Sequence, residues 1–509
     1  MFFSRREFVS LAAACGVSEI SVPSAVRAQT GQIRVRENIR AFARDQSKVD
    51  ALRLAVRTMQ DRSRANPDDP MGWNYWASSH GTPGAVPPAL RNIYNQCDHS
   101  SNGYTALHFL SWHRAFLYFF ESVLKQAASD AGSNVEFELP YWDWYTQPVI
   151  PRMFTRTTDP SGRANSLWHA RARTDLSEDT LDQSAFGYSN MLPNAATRRA
   201  RTFSYVFEFD PHGAVHGLIG GDMGFVPTSA RDPIFWLHHA NVDRLWTAWM
   251  KTGSPVLPDA NSQWAQKRWK FDVQGNWTAQ AGPLLDSVAS LQYRYDDETA
   301  PAVAFAAAAP RAAPQPKKVI EAPAMSVDFR QLQGIAPGAS AAELTLSATK
   351  EPVKLGNAAL AVDLKLAPQS AAQIQGLVAN QPADLKSAYL VLEDVELGSA
   401  GKEGGFSFRI AASLPDQSGG VRRAIIGTLN TFSLSLAAQG KEHKEHVLGK
   451  QTLKFPLADV LKDLDLKSAD ELRNGLRITF VPAHSGEETE EPDYVTVGAV
   501  KIVGSGSAG

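Results

Sequence analysis

Hydrophobic positions change their period part-way along the chain. Between Val49 and Arg64 the apolar residues Val49, Leu52, Leu54, Ala55, Val56 and Met59 fall at helical spacing, and Phe116, Leu117, Phe119, Phe120, Val123 and Leu124 repeat the habit, so both stretches predict helices. The region from Gln147 to Pro211 is polar without a sustained period and reads as loop-rich. Later the pattern shortens. Ala388–Leu392, Phe406–Ile410, Phe432–Leu436, Leu476–Phe480 and Tyr494–Val497 are brief, alternating or β-branched, and bounded by turn residues, which predicts strands. Between the two regimes, Thr299 to Ala324 holds five prolines and eleven alanines, the composition of a semi-extended linker. The expected organisation is multidomain α + β. A mainly helical domain spans 29–298, a linker 299–324, and a β-rich sandwich or barrel 325–503; a Gly/Ser-rich flexible tail covers 504–509.

Composition narrows the function. The 509 residues are 43% hydrophobic and carry 51 basic against 53 acidic groups, so no bulk field draws the chain to nucleic acid. Past the N-terminus no apolar run reaches the length of a membrane span. Residues 1–28 read as a twin-arginine signal peptide: Arg5-Arg6, an apolar stretch from Val9 to Val17, and cleavage after Ala28. Export to a periplasmic or secreted destination is expected, in a form already folded. The mature chain then keeps Cys97 alone, so no intrachain disulfide is available.

Candidate chemistry lies in the histidines, nine of twelve of which fall between His80 and His239. His212 and His216 are one helical turn apart, a spacing that lets both imidazoles reach one metal. The residues between them lack the glutamate of a zinc protease. An adjacent pair, His238-His239, follows in an apolar helix, with Asn241 and Asp243 just beyond; only one of the pair can point at a given metal, and Asp243 is placed to orient it from behind. His80, His99, His108 and His113 form an earlier set. Two trios of neutral imidazoles without a carboxylate suit copper, which leads the divalent affinity series.

These residues carry a resemblance. His212-x-x-x-His216, Asp232-Pro233-Ile234-Phe235-x-x-His238-His239-x-Asn241-Val242-Asp243-Arg244, Trp112-His113-Arg114 and Pro140-Tyr141-Trp142-Asp143-Trp144 are similar to the motifs of tyrosinases and polyphenol oxidases. That type-3 copper family also includes catechol oxidases and hemocyanins. Arg36 and Tyr293-Arg294-Tyr295 resemble the motifs bracketing its catalytic domain.

The resemblance implies a four-helix-bundle dicopper core in which His80, His99 and His113 hold one copper and His212, His216 and His239 the other. His108 stands as the alternative to His99, because the spacing from His99 to His113 is longer than the family's. It implies a thioether from Cys97 to His99, a water-activating carboxylate at Glu208, and pocket residues Phe235, Val226 and Gly213. The implied substrates are phenolic or catecholic small molecules and O2, the implied activity ortho-hydroxylation of monophenols and oxidation of o-diphenols to o-quinones. Catechol oxidation alone is the nearest alternative, because Gly213 replaces the asparagine common in strong monophenol hydroxylases; oxygen carriage is a more distant one. The C-terminal domain resembles in placement the one that covers the entrance in latent polyphenol oxidases. A homo-oligomer and a copper-loading chaperone stay open as partners. Lys441–His446 reads as a solvated loop, and His169 and His484 carry no motif.

Overall fold

The computed structural model describes residues 33–506 apart from 101–105, 178–180, 194–200, 254, 302–315, 333–341, 416–419, 439–448 and 484–491. The expected signal segment, much of the Pro/Ala linker, the Lys441–His446 run and His484 lie outside the described residues. Among those described, no helix is long and apolar enough to cross a membrane.

The first half is built on helices α1 (Gln46–Ala65), α2 (Trp73–His80), α3 (Phe109–Asp130), α4 (Ala214–Ile219) and α5 (Pro233–Met250). α1 begins where Asp45 accepts the amides of Ser47 and Lys48, and α5 where Asp232 accepts that of Ile234 with Pro233 at the first helical position. Every residue of α5 is buried, so it is the axis of the domain. Trp236 on α5 stacks on Phe120 of α3 at 3.3 Å, an aromatic seam that fixes the spacing of the two long helices.

Asp243 closes this bundle. Its carboxylate accepts from Arg114 Nε on α3 at 2.5 Å and from the hydroxyls of Tyr293 and Tyr295 at 2.5 and 2.6 Å. Strands β1 (Arg34–Arg36) and β2 (Tyr293–Tyr295) pair in parallel, joining the two ends of the domain in space. Arg36 reaches from β1 to Glu121 of α3 with two nitrogens, at 3.1 and 2.9 Å. The expected role of Asp243 is therefore corrected: it ties helices and strands together and makes no bond to a histidine, because Arg114, Tyr293, Tyr295 and, at 3.5 Å, Arg36 converge on it first.

The second half is a two-sheet sandwich. One sheet runs in the order β9 (Val421–Leu429), β8 (Phe408–Pro415), β11 (Arg477–Pro482), β6 (Leu360–Leu364), β3 (Lys318–Ala322). The other centres on β12 (Val495–Ser505), flanked on one side by β7 (Ser387–Leu397) with β10 (Gln451–Pro456) beyond it, and on the other by β4 (Glu343–Ala348) and β5 (Val353–Leu355).

Three expectations change. Lys318–Ala322, inside the expected linker, is the edge strand β3, paired in parallel with β6 through its β-branched Val319 and Ile320. Gly504 and Ser505, inside the expected tail, belong to β12; Gly504 is small because Leu385 crosses it, 2.4 Å from where a Cβ would stand. Phe432–Leu436 is a helix, α6 (Thr431–Ala438). Its alternating apolar residues mimic a strand because the helix is buried on two faces: Leu434 and Ala437 enter the sandwich core, while Phe432 and Leu436 form a separate cluster with Val226 of the first domain. Asn430 caps it, its Oδ1 accepting from the Ser433 amide while the Asn430 amide donates to Ser433 Oγ.

The domains dock along the segment that leads through α4. Asn430 Nδ2 donates to Gly213 O at 3.0 Å, Gly405 N to Gly217 O at 2.9 Å, and the Val226 amide to Ser435 Oγ at 3.0 Å. Gly217 has no room for a side chain, since a Cβ there would stand 2.5 Å from that of Asn430. Arg409 pairs with Asp210 and Arg201 with Asp463 across the seam.

Burial would raise the Glu121 carboxyl, but the Arg36 and Arg34 guanidiniums outweigh it and bring it down to about 2. A carboxyl that ionises more readily folded than unfolded contributes stability in full above the ordinary value of 4.5 and loses it as pH falls toward about 2. Glu121→Gln should therefore lower Tm at neutral pH, by roughly 3–5 kcal/mol of stability for a broken buried pair, and flatten the acid-side fall seen in a pH series of thermal melts.

Candidate metal centre

Five of the six expected ligands ride on helical segments. His80 ends α2, His113 lies on α3, His216 on α4 and His239 on α5, and His212 sits in a wide π-helical turn, Glu208–Gly213, that leads into α4. His99 is on a loop.

An imidazole offers a lone pair to a metal only when its other nitrogen carries the proton. His80 Nδ1 is 3.2 Å from the carbonyl of Val226, His113 Nδ1 2.7 Å from that of Phe109, His212 Nδ1 3.0 Å from that of Glu208 and His216 Nδ1 2.8 Å from that of Met223. His99 Nδ1 meets a carboxylate instead, Glu208 Oε1 at 2.9 Å. Carbonyls and carboxylates only accept, so each of these Nδ1 atoms carries its hydrogen and each Nε2 keeps its lone pair.

Those lone pairs converge. His80 Nε2 and His212 Nε2 are buried with no protein partner, and His216 Nε2 and His239 Nε2 face each other at 3.4 Å. Ligand atoms lie within 4.8 Å of one another in two groups, His80–Cys97–His99–His113 and His212–His216–His238–His239. Leaving buried nitrogens unpaired costs about 1–3 kcal/mol each. Burial, ahead of mutual repulsion, holds His80, His113, His212 and His239 well below the ordinary imidazole range and brings His216 down to about 3. These five imidazoles are neutral, and metal cations fit them where protons do not.

The geometry separates His99 from His108 but keeps both members of the adjacent pair. His99 joins the first group, whereas His108 stacks on Trp264 at 5.5 Å and takes no part. His239 lies flat against His113 at 4.2 Å, linking the two groups; His238 also enters the second group, and both its ring nitrogens are unpartnered. Cys97 Sγ is 3.0 Å from His99 Nε2 and 3.4 Å from His113 Nε2. Asn241 accepts from Arg244 rather than supporting a ligand. His169 pairs with Asp222. Glu208 is buried with both oxygens engaged, by His99 and Ser100.

Phe235 borders both groups, 4.8 Å from His80 and 4.2 Å from His239. Val226 and Gly213 flank a residue that sequence reasoning missed, Phe432 of α6. Its ring stacks on His216 at 4.2 Å and 18°, meets His99 and His212 edge-on at 5.4 Å, and would stand 3.7 Å from a Cβ on Gly213. The Asn430 cap was the available signal for the helix, but nothing in the pattern pointed it at histidines more than two hundred positions earlier.

The profile of the common central domain of tyrosinase matches residues 70–185 and 155–252. A tyrosinase from Hahella sp. is 28% identical over 290 residues, covering 49% of this chain and 61% of that protein. Hemocyanin 1 of Megathura crenulata is 30% identical over 236 residues, 43% of this chain and 6% of that one. The chain thus spans less than two thirds of the length of either. A chloroplastic polyphenol oxidase of Vitis vinifera is 24% identical over 479 residues, 86% of this chain and 70% of that one. Residues 70–252 thus carry the central domain of the tyrosinases, and the matched relatives are type-3 copper proteins. The chain's cofactor is a pair of copper ions, and the two histidine groups are the binuclear site. Imidazole donors with a nearby sulfur suit copper in both its oxidation states.

In this chain, His113→Ala and His216→Ala should each lower bound copper from two per chain to one or fewer while leaving the far-ultraviolet circular dichroism unchanged. Two coppers retained in both variants would contradict the site.

Proposed function

We propose that this chain is a dioxygen-dependent phenol oxidase held latent by its C-terminal domain. The observation that carries the reading is Phe432: an aromatic ring from the second domain lies face-on against His216, where a phenol would have to dock. In this reading His80, His99 and His113 hold one copper, and His212, His216 and His239 the other. The copper pair supplies electron exchange with dioxygen. The chain supplies the rest. Phe235 and Val226 form an apolar wall, Gly213 leaves room for a ring beside His212, and the burial of the cluster excludes water. Two catechols yield four electrons and four protons to one dioxygen, leaving two o-quinones and two waters; a monophenol would first take one oxygen atom ortho to its hydroxyl.

A second reading, catechol oxidation without hydroxylation, is favoured by Gly213 in place of asparagine and by a Glu208 whose oxygens already serve His99 and Ser100. Oxygen uptake on L-tyrosine and on L-DOPA, assayed separately, decides between them. Uptake on both supports the tyrosinase reading, uptake on L-DOPA alone the narrower one, and reversible oxygen binding without consumption of either an oxygen carrier. The twin-arginine pattern fits export of a chain already folded around its metal.

Latency has its own test. Phe432→Ala in the uncut protein should raise catechol turnover roughly tenfold or more, since a stacked and buried aromatic contact is together worth over about 1.4 kcal/mol. Cleavage between Arg311 and Lys318 should act in the same direction, with bulky catechols gaining more than small ones. Equal rates before and after both changes, with the domains shown to have separated, would leave the second domain a stabilising module.

A further inference from the structure

We infer that Glu208 is a positioning residue that fixes one ligand of each copper and, together with Ser100, governs how firmly the first copper is held. The inference rests on the dicopper reading above. His99 is the one expected ligand outside a helical segment, so no helix sets the direction of its ring. Glu208 does. Its Oε1 accepts from His99 Nδ1 at 2.9 Å and from the Ser100 amide at 2.7 Å, and its Oε2 accepts from the Ser100 hydroxyl at 2.6 Å. Ser100 Oγ in turn accepts the Ala106 amide at 2.8 Å. The imidazole, the Ser100 amide and the Ser100 hydroxyl all face the carboxylate, so the His99 proton is placed on Nδ1 and the Nε2 lone pair is directed into the first group.

The main chain of the same residue serves the other copper. The Glu208 carbonyl accepts from His212 Nδ1 at 3.0 Å. Glu208 opens the π-helical turn, and Asp210 within that turn departs from helical geometry at φ −148 and ψ 116. A turn of this width lets the side chain of Glu208 reach the first site while its carbonyl supports the second.

The charge balance explains why the arrangement needs its metal. Glu208, Ser100 and His99 are all buried, and the bonded partners of the carboxylate are an imidazole, an amide and a hydroxyl, with no guanidinium or ammonium among them. A buried anion so placed is costly. A cation bound at His99 Nε2 compensates it through the ring, and the carboxylate makes His99 a stronger donor in return. Three of the carboxylate's four acceptor sites are taken by these donors, which leaves one lone pair, on Oε2, for any other role.

The test uses the full chain loaded with copper and then exposed to a chelator, with copper per protein followed over time. Glu208→Gln keeps the size of the side chain but removes its charge. It should release one of its two coppers about 10–100-fold faster than the parent and keep the other. Ser100→Ala, which loses a single hydroxyl, should shift release in the same direction by less, and it keeps the test readable if Glu208→Gln folds poorly. If both variants hold both coppers as long as the parent, the clamp is overturned; loss of monophenol turnover alone in Glu208→Gln would then mark a free base. A parent chain that never holds two coppers would overturn the dicopper reading instead.

Discussion

The structure depends on one electrostatic constraint: a set of imidazoles is buried with their Nε2 atoms converging. His216 Nε2 and His239 Nε2 face across 3.4 Å, and His80 Nε2 and His212 Nε2 have no protein partner at all. Without cations the arrangement is unfavourable, because nitrogens without a protein partner are desolvated. The fold tolerates it because the proton of each ligand with a resolved Nδ1 partner is committed elsewhere, to a carbonyl or to Glu208.

That commitment requires rigid supports, and the rest of the first domain provides them. Asp243 joins α3 to α5 and both to the strand pair that unites the domain's ends, so the histidines on those two helices keep their separation. The second domain bonds to the segment carrying His212 and His216, at Gly213 and Gly217. The same contact delivers the Phe432 ring onto the face of the His216 ring. Support for that segment and the placement of Phe432 therefore come from one docking contact, and Gly217 leaves no space there for a side chain.

Much of the site was legible in the sequence. The helical spacing of His212 and His216 and the apolar setting of His238-His239 pointed to a metal, and the helices carrying them follow from period and capping. What the pattern could not convey is long-range. Asp243 reads as a neighbour of His239 because they are one turn apart, yet its partners come from Arg114 and from tyrosines fifty residues later. Glu208 reads as a free acid because Ser100 and His99 are remote in the chain. Phe432-Ser433-Leu434-Ser435-Leu436 alternates like a strand because its two apolar faces answer to two different cores, a circumstance set by domain docking and invisible to local period.

The central claim, that this cluster is built to be completed by two cations, is tested most directly by titrating metal-free protein with copper while following its thermal unfolding. Ligand that binds only the folded state raises Tm in proportion to site occupancy. The account predicts a rise that continues to two equivalents per chain and then levels off; a Tm indifferent to copper, or one that levels at a single equivalent, would contradict it.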